Sequence, residues 1–254
     1  MTTPFATTRA APGIAGLQPV RPVSAASVVQ LAVQPLPAQF PPSAGGIREL
    51  PVWDEAVADA RRLVLDRLAA EADRHGADGV VNVRLEERSS RWLDEGLEIV
   101  ATGTAVRGLG SVSPVLTNLD EAELRTLRGA GAAVAGLVHA SRVVAVLAGP
   151  ETIDRYRYGG NRRNFESPDF TSAVATLRKQ LAGSLVAQAQ ELRSDGILGL
   201  ASSVSPRWDH VRRRGFSESR VVLDCRALGT AVRRSADAQR ARPDLALALD
   251  QETP

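Results

Sequence analysis

The residues of this chain that could ligate a soft or borderline metal ion are few and scattered. Such metals take thiolate and imidazole ligands, normally with two or more of them close together in sequence. The chain has one cysteine, Cys225, and three histidines, of which His75 ends a helical pattern and His139 lies in an apolar run. Asp209 and His210 are adjacent and form the nearest pair. The candidate metal ligands are therefore His139, Asp209, His210 and Cys225, and we do not expect them to form a site within one chain.

Motifs for nucleophilic or phosphate chemistry are absent from the sequence. It contains no Gly-x-Ser-x-Gly elbow, and its lone cysteine has no nearby histidine in sequence. Gly129 and Gly131 lack the rest of a P-loop or dinucleotide pattern and are typical of a helix end. We therefore expect a protein that is not an enzyme and has no catalytic residues.

Two arginine-rich segments could bind anions or partner proteins. Residues 150–169 contain four arginines with two tyrosines, and residues 205–216 contain four arginines with a tryptophan. Arginine beside aromatic rings can bind phosphate and stack on bases. A net charge of +2 argues against a large nucleic-acid footprint, so nucleic acid is not an expected partner and protein contacts are favoured. The candidate contacts are Arg207, Trp208, Arg212, Arg213 and Arg214.

Composition is typical of a two-domain globular protein. The 254 residues suffice for two units of about 100 residues. A hydrophobic content of 44% with 4% aromatics predicts cores built from Val, Leu and Ala. A single cysteine allows no intramolecular disulfide, which is typical of a reducing compartment. Neither a secretory signal pattern nor an apolar run of about 20 residues occurs, so we expect a cytoplasmic protein without a membrane span.

The sequence contains an internal repeat, which predicts two copies of a small domain. An Asp-Gly pair opens residues 78–84 and 195–201, and a Gly-Thr-Ala-Val-Arg block closes residues 103–107 and 229–233. The openings are offset by 117 residues and the closings by 126, which indicates a nine-residue insertion in the second hairpin. The shared positions are Asp78, Gly79, Gly103, Thr104, Asp195, Gly196, Gly229 and Thr230.

The element order predicted for each copy is helix, strand, strand. Apolar residues at three- and four-residue spacing predict a helix with Asp54 as its N-cap, Arg61 on a polar face and Gly76 at its end. Shifting this apolar stripe by 117 residues gives only apolar positions, so a second helix is predicted at about 169–193. Strands are predicted at 23–34, 79–85, 97–106 and 134–147, and a short helix at 120–128. The predicted units are a flexible lead at 1–20, a first domain at 21–108, a second domain at 115–234 with an insertion at about 205–216, and a mobile tail at 235–254.

The shared positions have a structural interpretation that we favour over ligand binding. Glycines after the helix (Gly79 and Gly196) allow a positive φ or a close backbone approach. The preceding aspartates can accept hydrogen bonds from nearby loop backbone. Glycines within the closing strand (Gly103 and Gly229) suit a bulge or a close subunit contact.

These blocks resemble the YbjQ-like family, which carries a heavy-metal-binding label. The resemblance rests on Gly-Ala-Asp-Gly-Val-Val-Asn-Val-Arg at 76–84 and Gly-Thr-Ala-Val at 103–106, covers about 20–107, and extends more loosely over 115–234. It implies an α+β fold of two tandem small domains, each a helix packed on an antiparallel sheet and related to the dodecin subunit. It further implies pentameric rings in which strands of neighbouring subunits pair. A divalent heavy metal is implied by the label alone.

We therefore expect a non-enzymatic scaffold or binding protein that assembles with itself into a pentameric ring. Two alternatives stay open: metal or small-ligand binding at subunit interfaces, and an anion- or partner-protein-binding module that uses the arginine-rich loops. A pentamer of such chains would have two stacked tiers of five domains. A ring in which the two domains alternate would instead need an even number of domains.

Overall fold

Two α+β repeats make up the described part of the chain in the computed structural model. The structure describes residues 16–31, 46–90, 96–111, 113–147, 149, 166–213 and 216–234. The first repeat comprises β1 (Gln18–Gln30), β2 (Gly46–Glu49), α1 (Pro51–Arg74), β3 (Gly79–Ser89) and β4 (Gly96–Arg107). The second comprises β5 (Val115–Leu116), α2 (Glu121–Gly129), β6 (Ala132–Leu147), α3 (Pro168–Glu191), β7 (Gly196–Arg213) and β8 (Phe216–Arg234). The expected fold class, two tandem units of a helix on an antiparallel sheet, is confirmed.

The strands form two four-stranded sheets with the same register in both repeats. Their orders are β1-β4-β3-β5 and β2-β6-β8-β7, and all pairs except β3 with β5 are antiparallel. Pro19 of β1 lies opposite Val106 of β4, just as Val134 of β6 lies opposite Val232 of β8. Strands β1 and β4 therefore correspond to β6 and β8. We call two residues equivalent when they occupy the same position in the two repeats.

Each repeat carries a bulge at the same place in its third strand. The register shifts between Val81 and Arg84 in β3 and between Leu198 and Ala201 in β7. The φ angle is 53° at Asn82 and 61° at its equivalent Gly199. Gly103 and Gly229 face these bulges closely. A Cβ at Gly103 would lie 2.5 Å from Val80 Cγ1, and one at Gly229 would lie 2.6 Å from Ile197 Cγ2.

Helix α1 begins one turn earlier than the sequence predicted. Its N-cap is Leu50, because Pro51 has the fixed φ and missing N–H that suit the first helical position. The prediction of Asp54 as N-cap is therefore wrong. The Asp54 carboxylate instead accepts hydrogen bonds from the Val143 backbone N–H at 3.1 Å and from Arg142 Nη1 at 3.0 Å. The helix ends at Arg74, and Gly76, at the predicted C′ position, has a φ of 63°.

Two further expectations need correction. Arg61, predicted on a polar face of α1, is 1% exposed because the second repeat covers that face. Strand β1 begins at Gln18, so residues 18–20 belong to the sheet and not to the lead that we expected. Residues 1–15 and the tail at 235–254 lie outside the described residues. None of the helices within the described ranges is long and apolar enough to cross a membrane.

Candidate functional site at the junction between the repeats

The two repeats exchange strands. Strand β2 leaves the first repeat and pairs with β6 of the second, from Gly46 opposite Leu147 to Glu49 opposite Val144. In return, β5 leads into the second repeat and pairs in parallel with the start of β3, with Val115 opposite Gly79. Each sheet thus takes one edge strand from the other repeat, and this reciprocal pairing defines the junction.

Apolar packing fills the junction on both sides of the exchanged strands. Helix α1 packs on its own sheet and also on Val143, Ala145 and Val222 of the second repeat, in one buried cluster. A separate cluster joins Val81 of β3 to leucines from the start of the second repeat. The leucines of that cluster are Leu119, Leu124 and Leu127.

Four charged side chains bridge the junction from α1 to β8. Arg61 donates through Nε to Glu87, and its Nη2 lies 3.1 Å from Asp224 Oδ1. Arg226 Nη1 lies 3.0 Å from Glu87 Oε2. Since Arg61 and Glu87 come from the first repeat and Asp224 and Arg226 from the second, the cluster holds the repeats together.

Burial and mutual charge shift the pKa values in this cluster in different directions. Burial raises the pKa of Asp224 to about 6, although the charge of Arg61 opposes that shift. Burial alone would raise the pKa of Glu87, but its hydrogen bond with Arg61 and the charge of Arg61 lower it overall. Burial alone would lower the pKa of Arg61, and contacts with Glu87 and Asp224 raise it. The guanidinium therefore stays charged, and Asp224 is the group closest to a physiological titration.

The shared Asp-Gly pair holds the chain in position as it leaves the first repeat. The Asp78 carboxylate accepts backbone N–H groups of Gly108, Leu109 and Gly110 at 2.9 to 3.1 Å. Burial alone would raise the pKa of Asp78, but these three donors lower it overall. Gly79 provides the space for β5: a Cβ there would lie 2.8 Å from the Val115 carbonyl oxygen and would also meet Leu109.

In the second repeat the same pair has fewer contacts. Asp195 accepts the backbone N–H of Arg234 at 2.7 Å, which is the equivalent of the Gly108 contact. Apart from its two chain neighbours, no described residue has a heavy atom within 4 Å of a Cβ built at Gly196. Among the described strands, β7 pairs only with β8 and β1 only with β4, whereas their equivalents β3 and β6 each have a neighbour on both sides.

The closing threonines also differ between the repeats. Thr230 is fully buried and bonds to the N-terminal segment of its own repeat, through Thr117 Oγ1 at 2.8 Å and Asn118 Oδ1 at 2.6 Å. Asn118 also donates from Nδ2 to the Gly199 carbonyl oxygen. Thr104, the equivalent of Thr230, is partly exposed. The residues that would correspond to Thr117 and Asn118 in the first repeat precede Gly16 and lie outside the described range.

Three exposed apolar residues are equivalent to residues that the junction buries. Leu198 and Leu200 of β7 are 37% and 61% exposed, whereas their equivalents Val81 and Val83 are 6% and 2% exposed. Val28 of β1 is 46% exposed, whereas its equivalent, Val143 of β6, is 2% exposed. Face A is the side of the second repeat that lies away from the junction, along β7, and it contains Leu198 and Leu200. Face B is the side of the first repeat that lies away from the junction, along β1, and it contains Val28.

The structure does not gather the candidate metal ligands into a site within its described residues. His139 is half-buried, and burial together with the charge of Arg61 lowers its pKa. Cys225 is buried, and burial raises its pKa to about 11, which disfavours the thiolate that binds metal. No group of three or more His, Cys, Asp or Glu residues suited to a metal was found in the described ranges. The side chains of Asp209 and His210 lie outside them.

One of the predicted arginine contacts lies at the junction itself. The Arg207 guanidinium stacks 4.7 Å from the centre of the Trp53 ring, so β7 of the second repeat contacts the start of α1. The side chains of Trp208, Arg212 and Arg213, together with Arg214 and the arginine-rich residues 150–165, lie outside the described residues. No sequence signal marks Arg61 and Arg226 as functional residues, because arginine in a helix or strand is ordinarily exposed.

This fold and junction define a class: chains of two strand-exchanging α+β repeats. Residues 7–108 match the model of the YbjQ family, whose description is "Putative heavy-metal-binding", so the resemblance seen in the sequence is confirmed for this part of the chain. The chain is 27% identical over 249 residues to Encapsulin nanocompartment protein Rv1762c of Mycobacterium tuberculosis, which covers 93% of this chain and 86% of the relative.

Shorter relatives match only part of the chain. A UPF0145 protein of Natronomonas pharaonis is 49% identical over 59 residues, and one of Halobacterium salinarum is 52% identical over 58 residues. Each alignment covers 23% of this chain, and 55% and 54% of the respective relative. The chain thus spans little more than half the length of these two relatives.

Proposed function

We propose that this protein is a cytoplasmic, non-enzymatic scaffold that assembles with itself head to tail. In this assembly, face A of one chain binds face B of the next, and each contact repeats the junction between the two repeats. The observation that carries the proposal is the exposure of Leu198, Leu200 and Val28 at positions whose equivalents are buried in that junction. The relative named as an encapsulin nanocompartment protein supports a role in assembly.

The distribution of exposed apolar residues favours these two faces over the rest of the surface. The described residues include six large exposed hydrophobics, and three of them are the equivalents of junction residues. The other three, Val52, Leu63 and Val186, lie singly on helices, as scattered surface residues commonly do. Full burial of a Val or Leu side chain contributes about 1.5 to 3 kcal/mol of favourable free energy. Burial of faces A and B against each other would therefore favour association of the chains.

Two strand edges that have no partner among the described residues complete these faces. Strand β7 offers the edge that β5 occupies on β3, and β1 offers the edge that β2 occupies on β6. Gly196 keeps the first of these edges accessible for close backbone approach. An unpaired edge is a template for another strand, so a strand of a neighbouring chain can pair with each of these edges.

Head-to-tail contacts close into a ring or continue as a filament. We propose a closed ring, in which no edge is left open. Since the two repeats lie side by side and exchange strands, they alternate around such a ring, and the number of repeats is even. With the five subunits that the family resemblance implies, the ring has ten alternating repeats and not two stacked tiers of five.

A charge-swap experiment tests the proposed contact between chains. Arg178 and Glu98 are equivalent to Arg61 and Asp224, whose Nη2–Oδ1 distance is 3.1 Å, so Arg178 of one chain should face Glu98 of the next. Within its own chain, Glu98 pairs with Arg88 at 3.1 Å. Arg178→Glu and Glu98→Arg should each weaken assembly, because each places like charges together. Molar mass by light scattering measures the effect.

The decisive sample is the mixture of the two variants. A head-to-tail contact pairs face A of the Arg178→Glu chain with face B of the Glu98→Arg chain, and the reverse pairing retains the natural residues. Mixing should therefore restore assembly that neither variant shows alone at the same concentration. Arg62→Glu is the matched control, since Arg62 pairs with Asp59 on an exposed part of α1. Failure of the mixture to assemble, or unchanged assembly of both single variants, would overturn the proposed pairing.

A further inference from the structure

We propose that the cleft between the two repeats binds a small organic oxyanion, a carboxylate or phosphate ester with an apolar body. The cleft has a volume of about 400 Å³ and is lined by residues of β3, β6, β7 and β8 together with Arg61 of α1 and Asn118, which lies between β5 and α2. This volume lies within the range of small-ligand sites. The proposal is independent of how the chains assemble, because every residue that it uses belongs to one chain.

An unsatisfied guanidinium nitrogen carries the proposal. Arg61 lines the cleft and is 1% exposed. Its Nε and Nη2 donate to Glu87 and Asp224, whereas its Nη1 is buried and has no hydrogen-bond partner among the described residues. A buried donor without an acceptor costs free energy, and a charged donor costs more than a neutral one. An oxyanion in the cleft would provide the missing acceptor.

The charges that line the cleft favour an anion. Arg61, Arg84 and Arg226 line it, and Glu86 is the one acidic residue among the described residues of its wall. Glu87 and Asp224 balance Arg61 and Arg226 but are not part of the lining. The cations therefore face the cleft while most of the balancing negative charge lies behind them.

Further polar groups could orient an oxyanion beside the arginines. Arg226 uses Nε to bond Ser203 Oγ at 2.6 Å, and Arg84 uses Nε to bond Asn82 Oδ1 at 3.3 Å. These bonds orient both guanidinium groups, and Arg226 additionally pairs with Glu87 Oε2 through Nη1 at 3.0 Å. His139 also lines the cleft. Since burial and the charge of Arg61 lower its pKa, its ring is neutral near pH 7 and supplies one donor and one acceptor.

The remaining lining sets the class of ligand. Val83, Leu85, Ala140, Ala227 and Leu228 form an apolar wall beside the polar groups. An inorganic anion would leave this wall in contact with water, whereas an aromatic or short aliphatic body would cover it. We therefore infer an organic anion whose charged group faces Arg61.

The site should exist once per chain. The residues equivalent to Asn82, Arg84, His139 and Arg226 are Gly199, Ala201, Ser24 and Val100. A contact between chains that repeats the junction would thus retain only Arg178, the equivalent of Arg61. Binding with one ligand per chain distinguishes this site from one that forms at every contact.

Titration calorimetry with phenyl phosphate, benzoate, inorganic phosphate and the neutral benzyl alcohol tests the proposal on the full chain. We expect one phenyl phosphate or benzoate per chain, weaker binding of inorganic phosphate and no binding of benzyl alcohol. A preference between the first two identifies the anionic group. Equal binding of benzyl alcohol, or no binding of either organic anion at millimolar concentration, would overturn the proposal.

Substitutions of residues that line the cleft test whether the anion binds there. Arg84→Ala removes a partly solvated cation from the cleft and should weaken binding about tenfold, the effect of one charge-assisted hydrogen bond. Arg61→Lys retains the charge of the ion cluster but removes Nη1, and should weaken binding at least as much. Arg62→Ala, next to Arg61 but outside the cleft, is the matched control. Light scattering on the same samples separates loss of binding from loss of assembly, and equal affinity of all variants would contradict the assignment.

Discussion

Gly79 and Gly196 occupy the same position in the two repeats, but within the described part of the chain only Gly79 is enclosed. A Cβ at Gly79 would lie 2.8 Å from the carbonyl oxygen of Val115, whereas one at Gly196 would have no heavy atom of a described residue within 4 Å apart from its two chain neighbours. Neither has a positive φ, so backbone conformation does not explain why both are glycine. A neighbouring chain that places a strand beside β7 would give Gly196 the role that Gly79 has within the chain.

Alanine at the two glycines should therefore have different effects. Gly79→Ala should lower the free energy of unfolding by about 1 to 3 kcal/mol, because the new methyl group meets β5 backbone. Gly196→Ala should leave the stability of the dissociated chain within about 0.5 kcal/mol and weaken assembly. Urea unfolding and light scattering measure the two effects. Equal destabilisation by both substitutions, with assembly intact, would show that Gly196 has no role between chains.

Replacing the apolar residues of face A should dissociate the assembly without unfolding the chain. The double variant Leu198→Ser, Leu200→Ser removes side chains that are 37% and 61% exposed within one chain. We expect the apparent dissociation constant to rise by at least tenfold, since each side chain contributes about 1 kcal/mol or more on burial. Sedimentation velocity measures this rise. Leu63→Ser, at a 42% exposed position on α1, is the control and should assemble normally.

Lowering the pH from 7 to 5 should stabilise the folded chain through Asp224. Its pKa rises from 3.8 to about 6 on folding, so between these values the folded state binds a proton that the unfolded state does not. Stability therefore increases as pH falls through 6. We expect a rise in Tm of about 2 to 4 °C, measured by circular dichroism at a fixed chain concentration. Asp224→Asn should abolish the rise, and a rise that persists in this variant would assign it to another group.

Asp78 should contribute more to stability than its equivalent Asp195. Asp78→Asn removes a negative charge that accepts hydrogen bonds from three backbone N–H groups. The Asp195 carboxylate accepts a hydrogen bond from the backbone N–H of Arg234. We expect a loss of about 1 to 2 kcal/mol for Asp78→Asn and about half as much for Asp195→Asn. Because the pKa of Asp78 is lowered on folding, its contribution is present above pH 4 and is lost below. Urea unfolding at pH 7 and pH 3 checks both statements, and equal losses would contradict this account of Asp78.

Much of the fold could be predicted from the sequence because its signals are local and occur twice. The apolar stripe of α1 recurs in α3, and Gly103 and Gly229 mark closing strands that face a bulge. The exchanged strands could not be predicted. Strand β2 has four residues and β5 has two, too few to show a periodic pattern. Their place depends on the other repeat.

The contacts between the two repeats could not be predicted from the sequence for the same reason. Arg61 follows helical spacing that ordinarily faces solvent, and only the second repeat, through Asp224, makes its burial favourable. Asp54 has the residue type of an N-cap, but Pro51 starts the helix earlier and leaves that carboxylate free to bond β6. In both cases a long-range partner overrides a local preference. Candidate metal ligands such as Cys225 can be recognised in the sequence from their residue type. Whether they are buried depends on packing, which the sequence does not show.

The molar mass of the purified chain in solution, measured by light scattering over a range of concentrations, tests the central claim most directly. A head-to-tail ring predicts one species at a whole multiple of the 27.0 kDa chain, five chains in our proposal, with a mass that stays constant above the assembly threshold. Its mass should fall to that of one chain in the Leu198→Ser, Leu200→Ser variant. A mass of 27.0 kDa at every concentration would contradict the account.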